Sequence, residues 1–136
     1  MAVMTMGRRG REPMSKVDTA WLRMERSTNL MMISGVMMFE SRLDIDRFKR
    51  MLRERFLAYR RFQQKAVDTP AGAYWETDAD FDLDWHVRLT ALPGKAGREE
   101  LQRLVSHLAS TPLDASKPRW QFHVVGKDDA NAVHVD

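Results

Sequence analysis

The stretch from Thr111 to Val125, TPLDASKPRWQFHVV, restricts the fold most, because it contains a helix stop, a turn and a strand start. The preceding range Leu101–Leu108 places apolar residues at helical spacing, and Pro112 ends that helix because proline has no amide hydrogen to donate. From Arg119 the pattern changes to period two. The spacing therefore predicts a mostly buried strand, with one face formed by Trp120, Phe122 and Val124.

Length and composition predict one globular domain. The chain has 136 residues, 43% hydrophobic and 30% charged, which is enough for a core. It has no cysteine, which excludes disulfides, thiolate catalysis and cysteine-ligated metals. It lacks an apolar run of about 18 residues, which a membrane-spanning helix needs, and an apolar segment after its first arginines, which a secretory signal needs. We therefore expect a cytoplasmic protein. The net charge of +3 permits phosphates, anionic lipid or acidic ligands without choosing among them.

Two helices are predicted in the first half of the chain. Ser15 is a plausible N-cap for a short amphipathic helix to about Glu25, preceded by a flexible basic leader, residues 1–13. Asp44 caps a second helix that continues to Arg61. Between them, Leu30–Glu40 is almost continuously apolar and predicts a strand buried on both faces, with a buried helix as the alternative.

Strands and turns dominate the second half. The turn residues Asp68–Gly72 predict a hairpin between strands at Phe62–Val67 and Ala73–Glu76. Further elements are a strand within Phe81–Leu89, a helix from Arg98 to Ser110, and a loop at Gly126–Ala130 leading to a strand at Asn131–Asp136. We therefore expect an α+β fold in which helices cover a mixed sheet, with residues 14–136 forming an incomplete lobe.

The four histidines are the candidate catalytic side chains. His123 and His134 lie on the two arms of the predicted last hairpin, where Asp136 completes a candidate imidazole–carboxylate pair. The simpler interpretation makes them solvent-facing strand residues, and His86 and His107 show no motif by spacing alone. Histidine-metal spacing, a Gly-x-Ser-x-Gly elbow and a glycine-rich phosphate loop are all missing from the sequence. We predict no catalytic residue, no metal site and no bound cofactor.

The basic side of the helix over residues 44–61 suggests a binding role. Its arginines suit anionic lipid or a partner chain, whereas the simpler interpretation is a solvated face with an Asp46–Arg50 ion pair. Nucleic acid is the weakest candidate, because the aromatic residues belong to the apolar stripe. Methionines 31, 32, 37 and 38 are interpreted as core residues, with a pliable apolar channel as the alternative.

Several ordered motifs resemble the bacterial wax ester synthase/diacylglycerol acyltransferase family. The family opens with a Ser-x-x-Asp-x-x-(aromatic)-Leu helix ending in Glu, and Phe81–Arg88 matches its Phe-Asp-x-x-(aromatic)-His-Val-Arg motif. Its Pro-Leu-Asp…Arg-Pro-Leu-Trp motif matches with Arg119 in place of leucine. The other matching positions are Ser15, Asp18, Trp21, Leu22, Glu25, Arg60, Arg61, Phe62, Trp75, Leu92, Pro93, Gly94, Leu113, Asp114, Pro118 and Trp120.

This resemblance implies a fold and an activity. It implies the N-terminal part of a chloramphenicol acetyltransferase-like lobe of a CoA-dependent acyltransferase, with the active site between two lobes. It implies transfer of a fatty acyl group from acyl-CoA, as co-substrate, to diacylglycerol or a long-chain alcohol. As partners we expect a membrane or lipid inclusion that the chain contacts peripherally, a second copy of the chain, and a missing C-terminal lobe.

One family motif is missing from the printed sequence. The catalytic His-His-x-x-x-Asp-Gly motif of the family follows a strand that Asn131–Val133 begins to match, but His134-Val135-Asp136 does not fit it. An attacking alcohol needs a group that accepts its proton. We therefore expect a truncated acyltransferase that is inactive alone, whose exposed apolar surface favours association.

Overall fold

Two small sheets organise the chain in this computed structural model, which describes residues 11–126. An antiparallel sheet has the order β1-β3-β2, from Arg11–Pro13, Gly72–Thr77 and Gln64–Thr69. A parallel pair joins β4, Val87–Ala91, to β5, Phe122–Gly126. The predicted α+β fold with mixed strand directions is confirmed.

The predicted hairpin joins β2 to β3, shifted by a few residues from its expected bounds. Thr69 pairs with Gly72 at its tip, and the Thr69 hydroxyl donates to the Gly72 carbonyl over 2.7 Å. Residues 11–13, which we assigned to a flexible leader, instead form β1 and pair with Tyr74–Glu76. Strand pairing satisfies the backbone groups of this short segment, so the leader prediction was wrong for these three residues. Residues 1–10 lie outside the described part.

The α-helices begin where the sequence predicts, except at Leu83–His86, which we predicted as part of a strand within Phe81–Leu89. There the Asp82 carboxylate accepts from the Asp84 amide over 3.0 Å and caps a helical turn, so the strand begins only at Val87. In α1, Lys16–Met24, the Ser15 hydroxyl accepts from the Asp18 amide over 3.1 Å. In α2, Ile45–Met51, the Asp44 carboxylate accepts from the Arg47 amide over 2.8 Å. A single helical turn, α3, covers Leu83–His86, and α4 covers Arg98–Ala109. Capping carboxylates and hydroxyls satisfy amides that a helix leaves unpaired, which explains why these starts were predictable.

The second helix does not continue as an α-helix to Arg61. A π-helical turn at Leu52–Phe56 follows α2, and a 3-10 turn covers Arg60–Gln63. The Leu57 amide donates to the Leu52 carbonyl over 2.8 Å, which closes the wider turn. The rings of Phe56 and Phe62 then stack with centroids 3.6 Å apart, so the chain must bend between them.

The apolar segment Leu30–Phe39 differs most from expectation, since it has no regular structure and Ile33 is fully exposed. We predicted a strand buried on both faces, and this prediction was wrong. A strand is stable only when neighbouring strands pair with its amides and carbonyls. Within residues 11–126 no strand pairs with this segment, so its apolar composition alone does not make it a strand.

The core lies between α2, α3 and the parallel sheet. Leu52, Leu83 and Val87 are buried at its centre. The predicted apolar face of the last strand packs there, with Phe48 meeting Phe122 edge to face at 5.3 Å. Half-buried side chains that complete the core are Phe56, Leu57, Phe81, Trp120 and Val124. The predicted loop beyond Gly126 and the predicted strand at Asn131–Asp136 lie outside the described residues.

Candidate functional site

The parallel strands β4 and β5 separate a core face from a polar face. Val87 lies opposite Phe122 in the register, and Arg88 lies opposite His123. Because successive side chains of a strand point to opposite faces, Val87 and Phe122 enter the core while Arg88 and His123 face away from it. Val87 and Arg88 directly follow the Trp85–His86 turn, so the chain after this turn contributes one residue to each face of the sheet.

On the core side, His86 is a buried structural residue, with 1% of its surface exposed. Its ring lies 5.0 Å from Phe81 and 4.3 Å from Trp120, nearly parallel to both. Its Nδ1 is 2.7 Å from the Trp120 carbonyl, which can only accept, so Nδ1 carries the proton. Burial lowers the pKa of His86, the Trp120 carbonyl opposes that shift, and the Lys117 charge lowers the pKa further. His86 is therefore held neutral.

Trp120 fixes the start of β5. Its indole Nε1 donates to the Phe62 carbonyl over 2.7 Å, and its ring meets Phe56 edge to face at 5.0 Å. These contacts join residues 58 positions apart in the chain. They explain in physical terms why a tryptophan stands here: its body fills the core while its single donor satisfies a carbonyl.

A cluster of side chains is connected to Trp85, through its carbonyl, through its ring, or through Gln121. Arg88 Nε donates to that carbonyl over 2.9 Å, and Gln121 Nε2 donates to it over 3.0 Å. The Arg88 guanidinium lies 5.2 Å from the Trp85 ring centroid and the Lys117 ammonium 5.0 Å from it. We call this set the polar cluster: Trp85, Arg88, Lys117, Gln121 and His123.

His123 is the imidazole of this cluster. Its Nε2 lies 3.1 Å from Gln121 Oε1, which can only accept because the Gln121 amide nitrogen donates to Trp85. The proton therefore sits on Nε2, and the buried Nδ1 has no hydrogen-bond partner among residues 11–126. Burial lowers the pKa of His123, and the Arg88 charge lowers it further. Both effects favour the neutral form of His123.

The predicted pairing of His123 with His134 and Asp136 stays a prediction. His134 and Asp136, the proposed partners of His123, lie outside the described residues. His107 is exposed on α4. His86 packs on the core side of the β4–β5 sheet, whereas His123 lies on its polar side. Sequence reasoning missed the polar cluster, although the spacing of Trp85 and Arg88 and of Gln121 and His123 was available as a signal.

The basic helix also differs in detail from the simpler interpretation. The Asp46–Arg50 pair is not formed, and Lys49 instead contacts Asp84 over 2.8 Å, with the Lys49 contact lowering the pKa of Asp84. Across residues 11–126 no group of three or more histidine or carboxylate side chains is placed to hold a metal ion. No helix in the same range is long and apolar enough to cross a membrane.

Comparison with known proteins gives the chain its family. The family model described as the wax ester synthase/diacylglycerol acyltransferase catalytic domain matches residues 14–129. A solved wax ester synthase/diacylglycerol acyltransferase from Marinobacter aquaeolei VT8 superimposes with a TM-score of 0.59 at 24% identity, covering 85% of this chain and 29% of that one. The chain therefore shares its fold with part of that enzyme.

The curated relatives agree with the family model. A probable diacylglycerol O-acyltransferase of Mycobacterium tuberculosis, tgs3, is 37% identical over 76 residues, which are 54% of this chain and 28% of the relative. A second from that species, tgs2, is 33% identical over 116 residues, which are 79% of this chain and 26% of the relative. The chain belongs to the wax ester synthase/diacylglycerol acyltransferase family. It spans little more than a quarter of the length of these relatives.

Proposed function

We propose that this chain is part of an O-acyltransferase that transfers a fatty acyl group from acyl-CoA to diacylglycerol or a long-chain alcohol. The match of residues 14–129 to one catalytic-domain family is the observation that carries this proposal. The motif at Phe81–Arg88 and the motif around Trp120 support it, since the structure packs them against each other through His86 and Trp120. These residues build the framework of a lobe.

The reaction itself sets what the rest of the protein must provide. The acceptor oxygen forms a bond to the thioester carbonyl carbon, the carbon–sulfur bond breaks, and coenzyme A leaves as the thiol. The acceptor proton must reach a base, because an alcohol ionises far above neutral pH. We assign no catalytic residue among residues 11–126: His86 lies in the core, and His123 is held by Gln121.

We also propose that the 136 residues are inactive when assayed alone, since no His-His-x-x-x-Asp-Gly sequence occurs within them. Purified chain is incubated with radiolabelled acyl-CoA and either diacylglycerol or hexadecanol, and the lipids are separated by thin-layer chromatography. We expect no triacylglycerol or wax ester above the protein-free blank. Product that increases with chain concentration contradicts this part of the proposal.

A chimera tests the transferase proposal directly. Residues 14–126 replace the corresponding segment of the Marinobacter aquaeolei enzyme, and ester formation is measured with both acceptors. We expect acyl transfer by the chimera. A matched chimera that carries His86→Ala should lose ester formation because the core contact between β4 and β5 is lost. A folded, monodisperse chimera with no transfer to either acceptor contradicts the assignment.

A second candidate function is binding to an anionic lipid surface at the cytoplasmic side of a membrane or on a lipid inclusion. Arg47, Arg50, Arg53 and Arg55 are exposed along α2 and the π-turn, and none forms an ion pair within residues 11–126. Such arginines attract anionic headgroups by about 1 kcal/mol each near a surface.

Flotation with phosphatidylserine vesicles should recover the chain at 50 mM salt and release it at 500 mM. The double substitution Arg50→Gln and Arg53→Gln should abolish recovery, and binding independent of salt and of these arginines contradicts the candidate.

A further inference from the structure

Two cations meet one indole ring on the polar face of the β4–β5 sheet. Arg88 and Lys117 come from separate segments of the chain, yet their charged groups lie 5.2 and 5.0 Å from the Trp85 ring centroid. Neither forms an ion pair within residues 11–126, whereas Arg119 nearby is paired with Glu25 at 2.6 Å. Two unpaired cations beside one ring make the electrostatic potential around Trp85 positive, which favours an anion there.

The guanidinium of Arg88 is fixed in advance of any ligand. Its Nε donates to the Trp85 carbonyl, which also receives the Gln121 amide. Its terminal nitrogens have no acceptor among the described residues, so they remain available to a planar or tetrahedral oxyanion. Gln121 in turn holds His123, so the contact network reaches both strands.

Lys117 supplies a second charge from the turn before β5. Its side chain rests on Trp85, and the residue is half-buried although the turn around it is exposed. Burial is the main cause that lowers the pKa of both His86 and His123, and the charges of Lys117 and Arg88 respectively lower these pKa values further. The donors available to an anion are therefore those of Arg88 and Lys117.

We propose that Arg88 and Lys117, held on Trp85, bind a phosphoryl group of an anionic ligand. The inference deepens the proposed function and rests on it for the identity of the ligand, because coenzyme A carries a diphosphate and a 3′-phosphate. A guanidinium and an ammonium are the side chains that proteins use to bind phosphoryl oxygens. A phospholipid headgroup presents the same chemistry from a different source.

Calorimetric titration of the 136-residue chain with coenzyme A and with inorganic pyrophosphate tests the site. We expect both to bind, with the dissociation constant rising about tenfold for Arg88→Gln and for Lys117→Gln, the loss of one charge-assisted contact. Arg42→Gln removes the same charge from an exposed position before α2 that belongs to neither proposed site, and should leave the dissociation constant unchanged. Arg88→Lys keeps the charge and should weaken binding less than Arg88→Gln.

Further arms separate the phosphoryl source and protect the test against misfolding. Lys117 lies in a turn, so Lys117→Gln reports on the site even if the Arg88 variants lose their circular dichroism signal. Binding to phosphatidic acid vesicles but not to coenzyme A, lost in Lys117→Gln, keeps the phosphoryl site and assigns it to a headgroup. Absence of binding to all three probes, or equal weakening by Arg42→Gln, overturns the inference. Pyrophosphate binding without acyl transfer by the chimera would reject only the proposed function.

Discussion

At the scale of single residues, His86 connects Phe81, before β4, to Trp120, before β5, through ring contacts and one ring nitrogen. Its Nδ1 donates to the carbonyl of Trp120 over 2.7 Å, and Trp120 donates to the carbonyl of Phe62 over 2.7 Å. One path of contacts thus connects β4, the start of β5 and the 3-10 turn before β2. A proton added to His86 would place a charge among Phe81 and Trp120, where burial disfavours it.

The first prediction is a loss of stability in acid that both buried histidines produce. His86 and His123 have lowered pKa values in the folded chain, from an ordinary value of 6.5. Below pH 6.5 the unfolded chain therefore binds more protons than the folded chain, and the free energy of unfolding falls as the pH falls. This stabilisation is complete above pH 6.5. Urea unfolding followed by circular dichroism at pH 8, 7, 6 and 5 measures the slope.

Substitutions identify the histidines responsible. His123→Gln should reduce the slope of stability against pH below 6.5, because one proton-binding difference is removed. His107→Gln at an exposed site on α4 serves as the matched control. Stability that is constant between pH 8 and 5, or a slope that only His107→Gln reduces, would show that the burial argument is wrong.

The second prediction concerns the indole donor of Trp120. Trp120→Phe keeps an aromatic ring in the core but leaves the Phe62 carbonyl without its 2.7 Å donor and leaves a small cavity. An unsatisfied buried acceptor costs about 1–3 kcal/mol in unfolding free energy. Trp21→Phe is the matched control, since Trp21 is 54% exposed on α1. Equal unfolding free energies for the two variants would contradict the assigned role of Trp120.

At the scale of elements, local signals predicted well and non-local ones did not. The caps at Ser15 and Asp44, the hairpin turn before Gly72 and the helix at Arg98 follow from side chains within a few residues. The π-turn at Leu52–Phe56 depends on a stacking partner, Phe62, that local periodicity does not reveal. Leu30–Phe39 has the composition of a buried strand, but strand formation requires neighbours that composition cannot specify.

The third prediction tests the hairpin turn through its glycine. Gly72 has a φ of +140°, a region that residues with a Cβ atom rarely occupy, although no atom lies closer than 3.9 Å to a Cβ built there. Gly72→Ala should therefore cost about 1–3 kcal/mol through backbone strain and not through a clash. Gly35→Ala is the control, because nothing lies within 4 Å of a Cβ built there and its φ lies outside the positive range that residues with a Cβ rarely adopt. Thermal unfolding of both variants checks this, and equal midpoints would refute the strain argument.

At the scale of the whole molecule, the candidate site depends on packing that sequence reasoning could not supply. The Phe81–Arg88 motif was recognised as a unit, yet its residues divide between two faces: His86 enters the core and Arg88 the polar cluster. Lys117 and Gln121 join that cluster because β5 runs parallel to β4 in a register that sets Arg88 opposite His123. A period-two pattern indicates which residues share a face but not which strand lies beside them.

The fourth prediction follows from the apolar surface of Leu30–Phe39. Met37, Met38 and Phe39 are 72%, 82% and 61% exposed in succession. Contiguous exposed apolar side chains bind other apolar surfaces, because burial removes them from water at roughly 25 cal/mol per Å². We expect the isolated chain to enhance the fluorescence of 8-anilinonaphthalene-1-sulfonate and to self-associate as its concentration rises.

Substituting serine at Met37, Met38 and Phe39 should reduce dye fluorescence several-fold and shift sedimentation toward the monomer. The folded core should be unchanged, because none of the three residues contacts it. Val17→Ser is the control outside this segment, since Val17 is 66% exposed on α1. If this segment determines association, the triple variant alone responds. A wild-type chain that stays monomeric and leaves the dye dark, or a response equal to that of Val17→Ser, would place the apolar contact surface elsewhere on the molecule.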